Sequence, residues 1–386
     1  MITKSIPYGR QHITDDDIEI VVETLKSDYL TQGPKIKEFE TVFAEYVGVK
    51  YAVAVNNATA GLHLGATVLG VKPGDKIIVT PLTFAATANS IRYCGGEVVF
   101  CDIDKDSYLM DIQQLKLLLD SSPKGTYKGI VPVDFAGYPL DLEAFHKLAE
   151  EYDLWIMEDA CHAPGGYILD SAGVKQYCGN GRYADIGVFS FHPVKHIATG
   201  EGGMVTTNSE ELYEKLCLYR THGITKDSSL MLNDDGGWYY EMLDLGYNYR
   251  MTDFQAALGI SQLKRAKEGL NNRHRIANRY FDAFSKIEGI KTPLINKTAF
   301  HAFNLYIIQV KDRLGLYNYL RENNIYAQVH YVPLHLMPYY QQLGNKEGDM
   351  PVVEEYYKYC LSLPMYPTLT EEEQDYVISK VIEFVV

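Results

Sequence analysis

This sequence has no excess of positive charge, no paired cysteines and no long apolar run. Its 36 lysines and arginines are outnumbered by 50 aspartates and glutamates, which gives a net charge of −14. That balance argues against a broad surface for nucleic acid or for an anionic membrane, although it leaves room for a local basic pocket. The six cysteines form no C-x-x-C pair, so we predict neither a disulfide framework nor a metal site.

No targeting or membrane-spanning segment is visible. The residues from Met1 to Thr14 include Lys4, Pro7, Arg10 and His12 and have no apolar core of a signal peptide. Nowhere does the chain have the run of about 20 apolar residues that a membrane helix needs. We therefore expect a cytoplasmic protein that binds neither membrane nor nucleic acid.

Several common catalytic motifs are also absent. The sequence contains no H-E-x-x-H, Walker A or G-x-S-x-G pattern, which removes support for zinc proteolysis, P-loop chemistry and the α/β-hydrolase nucleophile. The segment Gly179–Ala184 matches the letters of the dinucleotide fingerprint, but it follows a polar loop and precedes a strand instead of a helix. We interpret it as a turn.

The alternation of short apolar runs with amphipathic stretches predicts an α/β protein with a mostly parallel sheet. Asp141 is a plausible N-cap for one of the predicted helices. The predicted helices in this part are Ala60–Val68, Ile112–Leu119 and Leu142–Tyr152. The seven predicted strands are Tyr51–Val55, Lys76–Val79, Glu97–Cys101, Gly129–Val133, Trp155–Glu158, Ile186–Phe191 and Gly203–Thr207.

Beyond Ser209 the pattern becomes helical and then shows a new strand signal, which predicts a second domain. We predict a large domain over residues 1–250, which includes the N-terminal segment, and connecting helices with a small α/β domain over residues 251–386. The predicted elements are helices Glu210–Tyr219, Thr252–Gly269 and Asn271–Ile287, strand Phe303–Val310, helix Arg313–Asn323, strand Ala327–Tyr331, and helices Val352–Leu361 and Glu371–Phe384.

A lysine follows one of the predicted strands and precedes a cluster of glycines. The segment Ser190–Lys195 continues into Thr199-Gly200-Glu201-Gly202-Gly203. Backbone at glycines can approach a ligand closely, and a desolvated amine can act as a nucleophile. An ordinary solvated loop lysine is the alternative, because most lysines have no chemical role.

A carboxylate ends another predicted strand. Asp159 follows Trp155–Glu158, and His162 comes three residues later. Functional groups collect outside the carboxyl ends of strands in open α/β sheets, and a carboxylate there could keep a pyridinium nitrogen protonated, as pyridoxal phosphate chemistry requires. A helix-capping aspartate is the alternative, but it leaves Lys195 unexplained. The strand Ile186–Phe191 leads directly to that lysine, so both groups can reach the same sheet edge.

The segment Asn56–Gly61 lies where a strand gives way to a helix. Free N–H groups at a helix N-terminus bind phosphate oxygens, and Thr59 adds a hydroxyl. Alone, this segment is explained at least as well by a simple capped helix start. Together with the carboxylate and the lysine it predicts a site for pyridoxal 5′-phosphate.

These residues resemble those of the sugar aminotransferases of the DegT/DnrJ/EryC1/StrS family. The resemblance extends from Tyr29–Pro34 to Val329–Tyr331 and implies the fold-type I architecture of aspartate aminotransferase, with a large domain built on a mixed seven-stranded sheet and a smaller C-terminal α/β domain. Within the family, Thr80–Asn89, Val133–Gly137 and Phe189–Lys195 are most similar to the branch that acts in pseudaminic acid biosynthesis.

The resemblance also implies roles around the cofactor. Lys195 would bind the cofactor covalently and move a proton during the reaction, Asp159 would pair with the pyridine nitrogen, and His162 would reach the phenolic oxygen. Phe84 would stack on the ring. The residues implied to hold the phosphate are Thr59, Ala60 and Ser190, joined by Asn248 from the other subunit of a homodimer with shared active sites.

Further positions match residues near the sugar substrate in that family. They are Thr31, His330 and Tyr331, and Arg250 or Lys35 is a candidate cation for the pyrophosphate. A branch of the family has histidine in place of the lysine and performs dehydration, so Lys195 argues against that branch.

The leading interpretation is an enzyme that transfers an amino group from L-glutamate to the C4 keto carbon of a nucleotide-linked 6-deoxy sugar. A sister enzyme acting on another UDP- or dTDP-linked keto-sugar, or at a 3-keto position, is the nearest alternative. A non-catalytic regulator that keeps the fold is the alternative from a different class, and an intact set of Lys195, Asp159 and His162 favours the enzyme.

Overall fold

The computed structural model describes residues 5–386 of the chain, and its strands are mostly short. The strands are β1 Ile6–Pro7, β2 Tyr51–Val55, β3 Lys76–Val79, β4 Glu97–Phe100, β5 Tyr127–Val131, β6 Trp155–Asp159, β7 Tyr167–Leu169, β8 Lys175–Tyr177, β9 Ile186–Ser190, β10 Gly203–Thr207, β11 Ile224–Thr225, β12 Glu241–Met242, β13 Ile290–Lys291, β14 Ala299–Phe300, β15 Tyr306–Val310, β16 Ile325–Tyr326 and β17 Cys360–Leu363.

Helices flank these strands along the whole described chain, and two 3₁₀ turns occur at Phe135–Gly137 and Leu334–Leu336. The α-helices are α1 Asp15–Leu25, α2 Pro34–Val47, α3 Ala58–Val68, α4 Ala85–Tyr93, α5 Ile112–Asp120, α6 Leu142–Tyr152, α7 Glu210–Arg220, α8 Asp253–Lys264, α9 Ala266–Phe284, α10 Arg313–Glu322, α11 Pro338–Gln341, α12 Pro351–Tyr359 and α13 Glu371–Val385.

One seven-stranded sheet forms the centre of the molecule, in the order β2-β10-β9-β6-β5-β3-β4. Its neighbours from β9 to β4 are parallel, whereas β10 runs antiparallel to both β2 and β9, so the sheet is mixed. Every residue of β9 and β10 is buried, as expected for strands covered on both faces by helices. The predicted α/β class and all seven predicted sheet strands are therefore confirmed, with bounds shifted by at most two residues.

Local signals explain several element boundaries. Helix α6 begins at the predicted cap, where the Asp141 carboxylate accepts a hydrogen bond of 3.3 Å from the Ala144 backbone N–H. The segment Gly179–Ala184 is a turn, as predicted, with Gly179 and Gly181 at positive φ. The long helical pattern after Thr252 is broken at Arg265, so α8 and α9 meet there and not at residue 270.

In the C-terminal part, one predicted strand is wrong and one predicted helix ends two residues earlier than expected. Ala327–Tyr331 is not a strand: Gln328 alone forms a bridge, to Ser362, while His330 and Tyr331 turn toward a cavity. The predicted helix Val352–Leu361 ends at Tyr359, because the fully buried β17 pairs antiparallel with β15. The strand next to β15 is therefore β17. The sequence pattern did not predict β17, because its first residues continue the amphipathic pattern of the preceding helix α12.

The N-terminal strand belongs to the C-terminal layer of the fold. β1 pairs in parallel with β16, and Ile6 packs in one apolar cluster with Tyr280, Tyr306 and Leu361. The predicted domain boundary at residue 250 stays a prediction. Among residues 5–386, no helix has both the length and the apolar character needed to cross a bilayer.

Candidate active site

A cavity of about 650 Å³ opens beyond the carboxyl ends of β5, β6 and β9. This is the edge at which open α/β sheets bind ligands, because loops and helix N-termini converge there. Eight of the residues predicted from the sequence line the cavity: Thr59, Phe84, Asp159, His162, Ser190, Lys195, His330 and Tyr331.

Asp159 is the last residue of β6, and its side chain faces the cavity. Its Oδ2 accepts a hydrogen bond of 2.7 Å from Thr87 Oγ1, and its Oδ1 accepts one of 3.1 Å from the Cys161 backbone N–H. Thr87 is held in turn by Thr83, with 2.7 Å between the two hydroxyl oxygens. These donors fix the carboxylate in one orientation and satisfy its charge without a cation.

His162 lies on the loop after β6 and is oriented by a backbone group. Its Nδ1 accepts a hydrogen bond of 3.2 Å from the Ala136 N–H, so the proton of the neutral ring is on Nε2. That Nε2 lies 3.4 Å from the Tyr331 hydroxyl. Burial, reinforced by the nearby Lys195 cation, places the pKa of His162 well below its usual value. His162 is therefore a neutral hydrogen-bond donor at physiological pH.

Lys195 lies in the loop that joins β9 to β10. Its backbone N–H donates to the His192 carbonyl at 2.8 Å, which makes a tight turn at the mouth of the cavity. Burial lowers the pKa of Lys195 to about 8, and the nearby Cys161 and Asp159 groups oppose that shift only in part. The lowered pKa increases the fraction of free amine near neutral pH, and the free amine is the form that a nucleophile requires.

The start of α3 forms another wall. Asn57 is its N-cap, and the Asn57 Oδ1 accepts the Ala60 N–H at 2.8 Å, so this amide is already engaged and Ala60 does not line the cavity. Thr59 does line it, as does Ser190 at the end of β9. A Cβ on Gly203 would lie 2.8 Å from the Ala58 nitrogen, so glycine is needed for the close approach of β10 to this helix start.

Three predicted residues lie elsewhere in the chain. Thr31 forms a bridge with Thr252, just before α8, and Asn248 forms a bridge with Thr221. Arg250 lines a separate cavity of about 310 Å³ together with Lys37 and Arg220. The single chain therefore brings eight of the predicted residues together and leaves Thr31, Ala60, Asn248 and Arg250 outside the cavity.

Sequence reasoning missed other residues that line the cavity. Tyr8, Thr87 and Cys161 lie in the wall, as does Phe135 of the turn after β5. Thr83 and Thr87 are four positions apart, which is the spacing of one helix face, but that signal is common on helices of every kind. Tyr8 lies far from the other cavity residues in sequence, and nothing in its neighbourhood indicates its position.

The cavity combines an acid, a base and an anion-binding helix start within one space. A fixed carboxylate, a neutral histidine donor and a free amine surround one space, and a helix N-terminus with two hydroxyl side chains supplies an anion site. The carboxylate ends β6, and the amine lies on the loop that follows the neighbouring parallel strand β9, so the sheet brings the two groups to the same edge.

Comparison with known proteins agrees with this arrangement. The chain is 40% identical to the spore coat polysaccharide biosynthesis protein SpsC of Bacillus subtilis (98% of this chain, 97% of SpsC). It is 36% identical to the UDP-4-amino-4,6-dideoxy-N-acetyl-beta-L-altrosamine transaminase of Campylobacter jejuni (96% of this chain, 95% of the relative).

Solved structures share the fold over almost the whole chain. Helicobacter pylori PseC, described as an aminotransferase of pseudaminic acid biosynthesis, superposes with a TM-score of 0.88 at 32% identity and 99% coverage of both chains. The putative sugar aminotransferase Spr1654 of Streptococcus pneumoniae, in its PMP form, gives 0.90 at 31% identity, covering 99% of this chain and 100% of its own, and it has also been solved in a PLP form.

The fold is thus that of aminotransferases, and the family can be assigned from the sequence as a whole. The profile of one family matches residues 11–382, which is nearly the complete chain and includes every residue of the cavity wall except Tyr8. The chain belongs to the DegT/DnrJ/EryC1/StrS aminotransferase family.

Proposed function

We propose that this protein is a pyridoxal phosphate-dependent transaminase that moves the amino group of L-glutamate to the C4 keto carbon of a nucleotide-linked 6-deoxy sugar. The observation that carries the proposal is the placement of the Lys195 amine and the fixed Asp159 carboxylate in one cavity. A non-catalytic regulator has no need for a lysine whose pKa is lowered beside such a carboxylate.

The residues around the cavity fit this cofactor. Asp159 would hold the ring nitrogen protonated, and the Nε2–H of His162 would donate to the ring oxygen. Thr59, Ser190 and the first amides of α3 would hold the phosphate, with Ala60 contributing through the cap that orders them. Phe84, which is 61% exposed at the rim, would cover the ring face.

Lys195 would both bind the cofactor and carry the proton between the substrate carbon and the ring. Bound pyridoxal phosphate supplies an electron sink for the electron pair that remains on the substrate carbon when its proton leaves. The Lys195 amine takes up that proton and returns it at another position, because it is the base whose pKa lies near neutral pH in this cavity. The buried Asp159 carboxylate would favour the positively charged form of the ring nitrogen.

The preferred substrate is proposed to be UDP-2-acetamido-2,6-dideoxy-beta-L-arabino-hex-4-ulose, in pseudaminic acid biosynthesis. The names of the Campylobacter and Helicobacter relatives support this choice. His330 and Tyr331 would contact the sugar from the C-terminal wall of the cavity. Thr31 is proposed to contact the sugar and Arg250 the pyrophosphate, although both lie outside the cavity of their own chain.

The substrate proposal predicts a clear order of kcat/KM among keto-sugars. We expect the L-arabino acetamido sugar to exceed dTDP-4-keto-6-deoxyglucose by about 10² or more, because polar groups that contact the acetamido group are left unpaired by an analogue without it. It should also exceed its D-xylo epimer, which keeps the acetamido group but differs in ring configuration, so that its polar groups meet the site in a different geometry. Initial rates with L-glutamate, with products identified by mass, provide the measurement. A preference for either competitor would contradict the proposed substrate but not the proposed transaminase activity. If the protein turned over neither glutamate nor any keto-sugar, both proposals would be contradicted.

A homodimer with shared active sites is proposed as the working form. The segment from β11 to β12 and its continuation carry Leu232, Trp238 and Leu245 at 90%, 76% and 75% exposure, and such a set of exposed large apolar side chains is typical of a subunit contact. Asn248 follows this segment and lies outside the cavity of its own chain. Its amide is proposed to reach the phosphate bound by the other subunit.

Mixing two inactive variants should restore activity if Asn248 acts across the interface. A hybrid of Lys195→Ala with Asn248→Asp has one site in which both residues are intact, so random reassortment should return about a quarter of the wild-type activity. Hybrid formation is verified by native mass spectrometry, and kcat is measured on the mixture.

A matched mixture controls for non-specific rescue. Lys195→Ala combined with Asp159→Asn leaves no intact site, because both residues line the same cavity of one chain. This mixture should stay inactive. If the hybrid with Asn248→Asp were also inactive, Asn248 would act in the site of its own subunit or would have no part in the reaction.

A further inference from the structure

Two buried acids lie directly behind the cavity, on the opposite face of the sheet. Val133 and Asp159 line the cavity, and side chains alternate along extended backbone, so Asp134 and Glu158 point away from it. Asp134 is 0% and Glu158 1% exposed. Neither acid has a salt-bridge partner within the described residues, although burial of an unpaired carboxylate is costly.

The hydrogen bonds of the pair leave one oxygen of each acid free. Asp134 Oδ1 accepts the Leu140 N–H at 2.9 Å, and Glu158 Oε2 accepts the Gly179 N–H at 2.9 Å. The remaining oxygens, Asp134 Oδ2 and Glu158 Oε1, are buried and receive no donor from the part of the chain that the structure describes. One oxygen of each acid lies within 4.8 Å of the other and of the Cys178 thiol.

We propose that Asp134 and Glu158 share a single proton, and that this acid pair is a positioning element for His162. A proton on one acid lets it donate to the other, which satisfies both free oxygens and leaves one negative charge instead of two. The proton also fixes the side chain of Asp134, whose other oxygen holds the turn from residue 134 to 140 through Leu140.

That turn carries the group that orients His162. Ala136, in the middle of the turn, donates its N–H to His162 Nδ1 and so keeps the ring proton on Nε2, toward the cavity. The Asp134 N–H also donates to the Asp159 carbonyl at 3.1 Å, which ties the turn to the strand that bears the carboxylate. The link to His162 rests on the proposed function, whereas the shared proton does not.

The charges around the pair agree with a retained proton. Burial raises the pKa of Asp134 to about 6 and that of Glu158 well above its usual value. The titratable groups that face the pair are Asp159 on β6 and the thiols of Cys178 and Cys161, none of which is a cation. The cavity on the outer side of Glu158 adds the acids Asp141, Glu143 and Asp170, and no lysine or arginine lines it.

The pH dependence of folding tests the shared proton without cofactor or substrate. Because burial raises the folded pKa values of the pair, the shared proton stabilises the fold fully below about pH 4, and this contribution is lost as pH rises through the folded pKa of the pair. The unfolding equilibrium constant of the apo-protein should therefore rise with pH from 5 to 9, and more steeply in the wild type than in Glu158→Gln. One retained proton corresponds to a difference between the two slopes of up to about tenfold per pH unit.

Amide variants separate the proton from simple packing. In Glu158→Gln or Asp134→Asn, the new amide can donate to the remaining carboxylate and still accept the original backbone N–H, so the hydrogen bonds survive. The double variant brings two NH₂ groups face to face, so it should lose more stability than the sum of the two single variants. In the holoenzyme, only the double variant should shift the pH midpoint of the cofactor absorption band.

The outcomes are distinct. Equal pH slopes for the wild type and Glu158→Gln, or an additive double variant, would overturn the shared proton whatever the enzyme does. If the wild type contained one equivalent of tightly bound divalent metal that Asp134→Asn lacked, the shared proton would be contradicted, and the two acids would instead form a metal site with Cys178. If the stability data support a shared proton but the cofactor absorption of the double variant is unchanged, the shared proton is retained and the proposed link to His162 is contradicted.

Discussion

Replacement of Lys195 by alanine is expected to lower kcat by at least about 10⁴-fold, since general acid–base catalysis and covalent attachment are lost together. The cavity should still accept the cofactor, because Asp159, His162 and the start of α3 are unchanged. Turnover is measured with L-glutamate and a keto-sugar, and cofactor content is measured by absorption after gel filtration. Lys72→Ala, at an exposed loop position, is the control and should behave as the wild type.

The same residue can be identified chemically. Reduction of the holoenzyme with borohydride, followed by peptide mass analysis, should place the pyridoxyl group on the peptide that contains Lys195. An adduct on a different lysine would show that the cavity has been assigned to the wrong chemistry. Retained turnover in Lys195→Ala would lead to the same conclusion, by a route independent of the labelling.

Replacement of Asp159 by asparagine should lower the rate of the glutamate half-reaction by about 10² to 10³, because a preorganised charge is removed from the ring nitrogen. The asparagine has nearly the same shape, and its amide oxygen can still accept from Thr87, so the fold should be preserved. Single-turnover absorption changes measure the half-reaction, and thermal unfolding measures stability.

The variant Thr87→Val separates the effect of the Asp159 charge from the effect of its orientation. Thr87→Val keeps the Asp159 carboxylate and removes one of its two donors, so a smaller loss of about tenfold is expected from one hydrogen bond to a charged group. If Thr87→Val were as damaging as Asp159→Asn, orientation and not charge would be the main contribution of this side chain. If neither affected the half-reaction, Asp159 would have no part in it.

The large sheet and the cavity residues at the ends of its strands could be predicted because local sequence signals and topology act together there. A buried parallel strand gives an apolar run of recognisable length, and its carboxyl end is the place where Asp159, Ser190 and the loop to Lys195 must lie. The helix start at Asn57 is a local feature for the same reason. Asp159 and Ser190 end neighbouring parallel strands, β6 and β9, so their loops must leave the sheet at the same edge.

The remaining residues depend on contacts that no local pattern encodes. Ala327–Tyr331 has the composition of a strand, yet only Gln328 finds a partner, because β17 fills the neighbouring position. The sequence pattern identifies Glu158 only as part of a strand, and its contact with Asp134 depends on the parallel register of β5 and β6, which places the two acids diagonally on the same face of the sheet. Tyr8 reaches the cavity only because its strand pairs with another near the opposite end of the chain.

That pairing sets the order in which the molecule can be assembled during synthesis. β1 emerges from the ribosome first, but its partner β16 and the Met365 amide, which donates to the Tyr8 carbonyl, are translated near the end. The central sheet, complete at Thr207, can fold well before them. Until β16 has emerged, β1 has no strand partner, and the cavity lacks the walls formed by Tyr8, His330 and Tyr331. The cavity walls that come from the central sheet are therefore translated well before those that come from the C-terminal part of the chain.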